Sequence, residues 1–188
     1  MKEWFENKTV SLVGNATSLF DHNFGEEIDS HDVVVRLNKA AMLINNMNSE
    51  KTHGKRTDVW MFWSVAEYYK YFDTIDQSIL LMHNGHQFRN NTRIGDVDFV
   101  YPEEYYALLK PLAGTKKNPT TGFIAMDYIM KCNPKEMRVY GFDFKKTPTH
   151  TDPNRVKEKR CPHNYDIEEK YAMEHIFSKS NAFLRTHK

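Results

Sequence analysis

The sequence predicts an α/β fold in which a mostly parallel sheet is flanked by helices. Three observations carry that prediction. Short apolar runs that stop at turn residues recur along the chain, as at Val10 to Val13 and Met137 to Phe142. Helix-like stretches lie between such runs, as at Gly122 to Lys131. Strands that alternate with helices are joined by crossovers, which make neighbouring strands parallel.

The elements follow in order. Val10 to Val13 reads as a buried strand entering a turn at Gly14-Asn15. A weak helical signal follows Ala16-Thr17-Ser18-Leu19, and Ile28-Asp29-Ser30-His31-Asp32 turns into a second strand, Val33 to Asn38. Residues 39 to 56 are polar and irregular and read as a mobile connection. Asp58 to Phe62 resembles a third strand, Glu67 to Phe72 sits in an aromatic helix, and Ser78 to Met82 and Asp98 to Tyr101 are further strands. Pro102-Glu103-Glu104 opens a helix through Leu109, with proline in its first turn and acids near its positive end. The helix Gly122 to Lys131 and the strand Met137 to Phe142 come next. Lys145 to Arg160 has no apolar anchors and reads as a mobile basic loop, and Asp166 to Phe183 as one long amphipathic helix.

The totals bound what this fold serves. At 188 residues the length predicts a single domain over 1–188. A hydrophobic fraction of 40% and a charged fraction of 27% are those of a globular protein, and a net charge of +1 gives no global attraction to nucleic acid. No run of 18 apolar residues predicts a membrane span, and the start, Met1-Lys2-Glu3-Trp4, is too polar for a signal peptide. Cys132 and Cys161 therefore read as reduced thiols in a cytoplasm.

In an open parallel sheet, ligands sit outside the carboxyl ends of the strands. Three such ends carry small or amide-bearing residues: Val13-Gly14-Asn15, Arg36-Leu37-Asn38, and the region of Thr120-Thr121-Gly122. The last precedes a helix whose free N–H groups and dipole favour an anion. Gly122 allows close backbone approach, the threonines offer hydroxyls, and the amides of Asn15 and Asn38 suit a ribose, phosphate or base edge. The same residues are also ordinary caps and turn formers. Gly14 lacks the partner glycines of a dinucleotide fingerprint. The residues by themselves point to a phosphate-containing ligand.

Residues 10 to 40, "VSLVGNATSLFDHNFGEEIDSHDVVVRLNKA", resemble the large motif of the sialyltransferases, glycosyltransferase family 29. Pro119-Thr120-Thr121-Gly122, the apolar helix, Cys132 and Val139-Tyr140-Gly141-Phe142 are similar to the family's small motif. Val100-Tyr101-Pro102-Glu103 matches a shorter element, and His163-Asn164-Tyr165-Asp166-Ile167-Glu168 resembles the very small motif, a His followed five residues later by Glu. The resemblance implies a Rossmann-like, sialyltransferase-like glycosyltransferase fold. It implies a CMP-linked sugar donor, no metal or other cofactor, and inversion at the anomeric carbon. Donor contacts are then expected at Gly14, Asn15, Asn38, Tyr101, Thr120, Thr121, Gly122, Gly141 and Phe142, with His163 as catalytic base.

Two departures stand out. The family's small-motif cysteine usually pairs with one in the large motif, where this chain has Val10. The short aromatic motif ahead of the base has no clean match; His150-Thr151-Asp152 lies in that interval without the aromatics.

Inverting transfer needs a held phosphate, a tolerated oxocarbenium-like centre and a base for the acceptor hydroxyl. A histidine serves as that base at neutral pH. Glu168 is expected to orient the His163 ring or cap the helix, and His150 to assist the departing phosphate. Asp96-Val97-Asp98 offers a rival, metal-holding pair of the kind used with diphosphate donors. The acceptor is expected to be a glycan. The alternative is a cytosolic enzyme of a bacterium or a phage-infected host, adding a pentose or hexose to hydroxymethylated bases in DNA, with the basic loop on backbone phosphates. A third reading is a non-catalytic nucleotide-binding module.

Overall fold

The computed structural model describes residues 2–40, 49–62, 80–83, 98–99, 109–112, 118–149 and 163–185, with backbone alone at 80–83 and 98–99. Among these residues seven strands form one sheet: β1 (Thr9–Val13), β2 (Val33–Leu37), β3 (Val59–Phe62), β4 (Leu80–His83), β5 (Asp98–Phe99), β6 (Glu136–Tyr140) and β7 (Ala182–Arg185). Their order is β5-β4-β3-β2-β1-β6-β7. Every neighbouring pair is parallel. The expected α/β class with a parallel sheet is thus the observed one. The chain steps outward from β1 to β5 and then returns to the far side of β1 with β6. That reversal between β1 and β6 is where an open sheet leaves a crevice beyond its carboxyl ends.

Coverage on both faces explains why the central strands are nearly continuous in apolar residues. On one face Val10, Leu12, Val35 and Val139 pack under Phe123 and Ile129 of α3 (Thr121–Lys131), with Ile176 beside them. On the other, Val13, Val34 and Tyr140 pack under Leu19 of the 3-10 turn Thr17–Asp21 and Ile28 of α1 (Gly25–Asp29). Among the described residues, no helix is long and apolar enough to cross a membrane.

Much of the large motif proves to be scaffold. Asp32 accepts from both the N–H and the hydroxyl of Thr9 at 2.8 Å, which ties the starts of β1 and β2 together. Asp29 accepts from the N–H groups of Lys55 and Arg56 at 2.8 and 3.0 Å. Arg36 is fully buried and donates to the carbonyls of Arg56 and His53 at 2.8 Å. Burial draws its pKa down to about 10, so it stays charged at neutral pH. His53 ends the short helix α2 (Glu50–His53), where an irregular connection was expected.

The main correction concerns the last expected helix, Asp166 to Phe183. The α-helix α4 is only Tyr165–Tyr171; it loosens into a π-helical turn over Ala172–Ile176 and stops. Asn181 then anchors the chain, donating from its side chain to Pro134 O at 2.9 Å and accepting from Met137 N at 2.8 Å. Ala182–Arg185 leave that anchor as β7, beside β6. Strand ends are also sharper than expected: β2 stops at Leu37 because Asn38 turns to φ 48, and β6 at Tyr140 because Gly141 turns to φ 65. The helices expected at Glu67 to Phe72 and from Pro102 lie outside the described residues, apart from Leu109.

Candidate functional site

The site grows from the reversal point. The N–H of Gly14, just past β1, donates to Tyr140 O at 2.7 Å, and that of Ala16 to Gly141 O at 3.0 Å. The two loops therefore run together. A Cβ on Gly14 would lie 2.5 Å from Gly141 O and 2.6 Å from the Phe142 ring. A Cβ on Gly122, in the first turn of α3, would lie 2.4 Å from the same ring and 3.4 Å from Leu37. Phe142 is thus clamped between two glycines from distant parts of the sequence, and no larger residue fits at either place without movement.

Around this clamp stand the expected polar groups. Asn15 has its side-chain Oδ1 buried without a hydrogen-bond partner among the described residues. A buried acceptor left open is costly, and a bound donor group would satisfy it. Asn38 reverses the chain after β2; its N–H donates to Met61 O at 2.9 Å, and its carbonyl accepts from Trp60 Nε1 at 2.8 Å.

The third wall is the segment before α3. Thr120 is its N-cap, with Oγ1 accepting from Phe123 N at 3.0 Å. The same hydroxyl donates to Glu168 Oε2 at 2.7 Å, while Thr120 N donates to Oε1 at 2.8 Å. Glu168 is 1% exposed. Burial pushes its pKa up to about 7, against the opposing effect of the two Thr120 bonds. Glu168 therefore neither orients the His163 ring nor caps its own helix, a role taken by Asn164. It closes off the start of α3 instead.

His163 precedes α4 and turns its Nδ1 to the carbonyl of Asn118 at 2.7 Å. A carbonyl only accepts, so Nδ1 carries the proton and the neutral ring keeps its lone pair on Nε2. His163 and Glu168 thus both dock on Asn118–Thr120, one on each side of buried Pro119. The Asn118 carbonyl escaped sequence reasoning because every residue type supplies one.

The loop after β6 is led back to the same place. Asp143 accepts from the N–H groups of Lys145 and Thr147 at 3.0 and 2.8 Å. Lys146 pairs with Glu169 of α4 at 2.5 Å. Thr17 N donates to Pro148 O at 3.0 Å, and Thr149 bridges Ala16 beside Asn15. His150, the remainder of the basic loop, Tyr101, Asp96, the side chain of Asp98 and Cys161 lie outside the described residues. Cys132 is a buried free thiol whose pKa burial raises. Among the described residues no His, Cys, Asp and Glu cluster is arranged to hold a metal ion.

Against known proteins, residues 6–82 match the model of glycosyltransferase family 29 (sialyltransferase). No curated protein matches the chain by sequence. Solved structures match over nearly its whole length. A mammalian sialyltransferase in complex with Gal-beta-1-3GalNAc-ortho-nitrophenol aligns with a TM-score of 0.67 at 17% identity, covering 100% of this chain and 72% of the other. The sialyltransferase CstII from Campylobacter jejuni, in complex with cytidine-5'-monophosphate, gives 0.61 at 14% identity, over 95% and 80%. The alpha-2,3-sialyltransferase Cst-I of the same organism gives 0.63 at 16% identity, over 95% and 75%. The fold is that of the sialyltransferases, and the expected resemblance holds.

Proposed function

We propose that this chain is a glycosyltransferase that moves a sugar from a CMP-linked donor to an acceptor hydroxyl by inverting displacement, without a metal. The observation that carries the reading is the docking of His163 and Glu168 on Asn118–Thr120, at the start of the helix whose Gly122 touches the Gly14–Phe142 clamp. It supports the reading because it ties the base candidate to the helix start at which the phosphate is proposed to lie.

In the reaction, Nε2 of His163 takes the proton of the acceptor hydroxyl as its oxygen bonds to the anomeric carbon. The bond from that carbon to the donor phosphate oxygen breaks on the opposite face, and the electron pair leaves with CMP. Such a base contributes roughly a hundredfold to ten-thousandfold. The N–H groups of Thr121 and Gly122 face the negative charge that grows on the phosphate. Asn15 Oδ1 accepts from a donor hydroxyl or amine, and His150 adds a second contact to the leaving group.

The acceptor is a glycan hydroxyl in this reading. The ligands named for the mammalian and Campylobacter relatives, a disaccharide and CMP, are of the proposed kinds. For the alternative acceptor, a hydroxymethylated DNA base, the described part of the basic loop adds no support, since Lys146 is paired with Glu169.

The test is His163→Ala assayed with CMP-linked sugars. Transfer is lost while CMP binding stays within a few fold. Turnover retained in that variant removes His163 as base.

A further inference from the structure

The start of α3 has less to offer an anion than a helix start ordinarily has. The N–H of Phe123 is satisfied by Thr120 Oγ1 and that of Ile124 by Thr120 O, both at 3.0 Å. The N–H of Thr120 is taken by Glu168. Thr121 and Gly122 keep the N–H groups of the first turn that have no partner among the described residues. The carboxyl of Glu168, buried against Thr120, already lies at this end of the helix, and above its pKa of about 7 it brings a negative charge there.

We propose that Glu168 is a charge-selecting residue, whose carboxylate fills one anion position at the start of α3 and leaves room for a single, singly charged phosphate. The inference rests on the reading that donor phosphate lies at Thr121 and Gly122. Two N–H groups match two oxygens of one phosphate. A nucleoside monophosphate joined to a sugar carries one negative charge, and a diphosphate-linked donor carries two. The second would meet Glu168 where water is scarce and repulsion weakly screened. Glu168 touches no reacting atom and acts through the charge it holds in place.

Among the described residues, the surrounding charges leave this effect to Glu168. On α3, Asp127 pairs with Lys131 at 2.8 Å. On α4, Glu169 pairs with Lys146, and Asp166 is exposed. The ring of His163 is on Asn118 O. Tyr171, also on α4, is a phenol whose pKa burial raises. The titration of Glu168 is itself displaced by burial and the Thr120 bonds.

The experiment is calorimetric titration with the methyl phosphodiester of CMP and the corresponding methyl diester of CDP, which differ by one charged phosphate and do not titrate near neutrality. At pH 8 the wild-type protein prefers the monophosphate ester by about tenfold or more, and Glu168→Gln loses most of that preference. In the wild type, lowering the pH from 8 to 6 shrinks the preference as Glu168 gains its proton. This second series decides the matter if the variant does not fold. A preference that is equal in both proteins, or independent of pH in the wild type, overturns the inference. If neither ester binds the wild type at millimolar concentration, the nucleotide reading fails and takes the inference with it.

Discussion

Glu168 grips Thr120 at two points, its carboxylate oxygens 2.8 Å from the N–H and 2.7 Å from the hydroxyl. The two residues are far apart in sequence, and this contact joins the start of α4 to the start of α3. Replacing Glu168 by Ala leaves the half-buried N–H and the hydroxyl hydrogen of Thr120 without an acceptor. The expected loss is about 1–3 kcal/mol, with Gln losing less, measured by urea denaturation.

The same carboxyl makes stability depend on pH in an unusual direction. Its folded pKa lies at about 7, above the ordinary 4.5, so folding favours the protonated form. The stabilisation is complete below about pH 4.5 and is lost as the pH rises through about 7, a change on the order of 3 kcal/mol. The difference in unfolding free energy between wild type and Glu168→Gln should follow that curve. A flat difference between pH 4.5 and 8 contradicts it.

The histidine is expected to show one tautomer. With Nδ1 donating to Asn118 O, long-range nitrogen-15 spectra of the neutral ring should show the proton on Nδ1. A spectrum dominated by the Nε2–H form contradicts the geometry.

The glycines of the clamp differ in what an added methyl meets. At Gly14 it meets the carbonyl of Gly141 at 2.5 Å, which is backbone and cannot rotate away. At Gly122 it meets the Phe142 ring, which can shift. Gly14→Ala is expected to cost about 2–3 kcal/mol and to weaken nucleotide binding. Gly122→Ala should cost less, because helix propensity returns up to about 1 kcal/mol. Thermal melts of both variants with and without CMP check the order.

Arg36 belongs to the scaffold despite sitting in a motif. Arg36→Met removes a fully buried guanidinium and leaves the carbonyls of His53 and Arg56 open. A loss of about 3 kcal/mol is expected, with nucleotide affinity unchanged in the folded fraction.

The sequence displayed β1, β2, β3, β6 and α3 because each is a local pattern: an apolar run closed by a turn residue, or a capped helix. It hid β7, because Ala182 and Phe183 continue the apolar spacing of α4, and only the π-helical turn and the Asn181 anchor to Pro134 and Met137 break it. Gly14, Gly122 and Phe142 were legible singly, but their meeting depends on the reversal of strand order. Glu168 was picked out by its spacing from His163, yet its partner lies on another helix, which spacing along the chain does not reveal.

The pairing of β1 with β6 joins Thr9 to Glu136, across most of the chain, whereas β1 to β4 each pair with the strand next in sequence. Closing so long a loop costs more chain entropy than joining neighbours in sequence, and it is expected to follow them. The crevice therefore does not exist in a chain that has organised only its first five strands. Ligand present during refolding should leave those early steps unchanged and slow only the reopening of the finished protein.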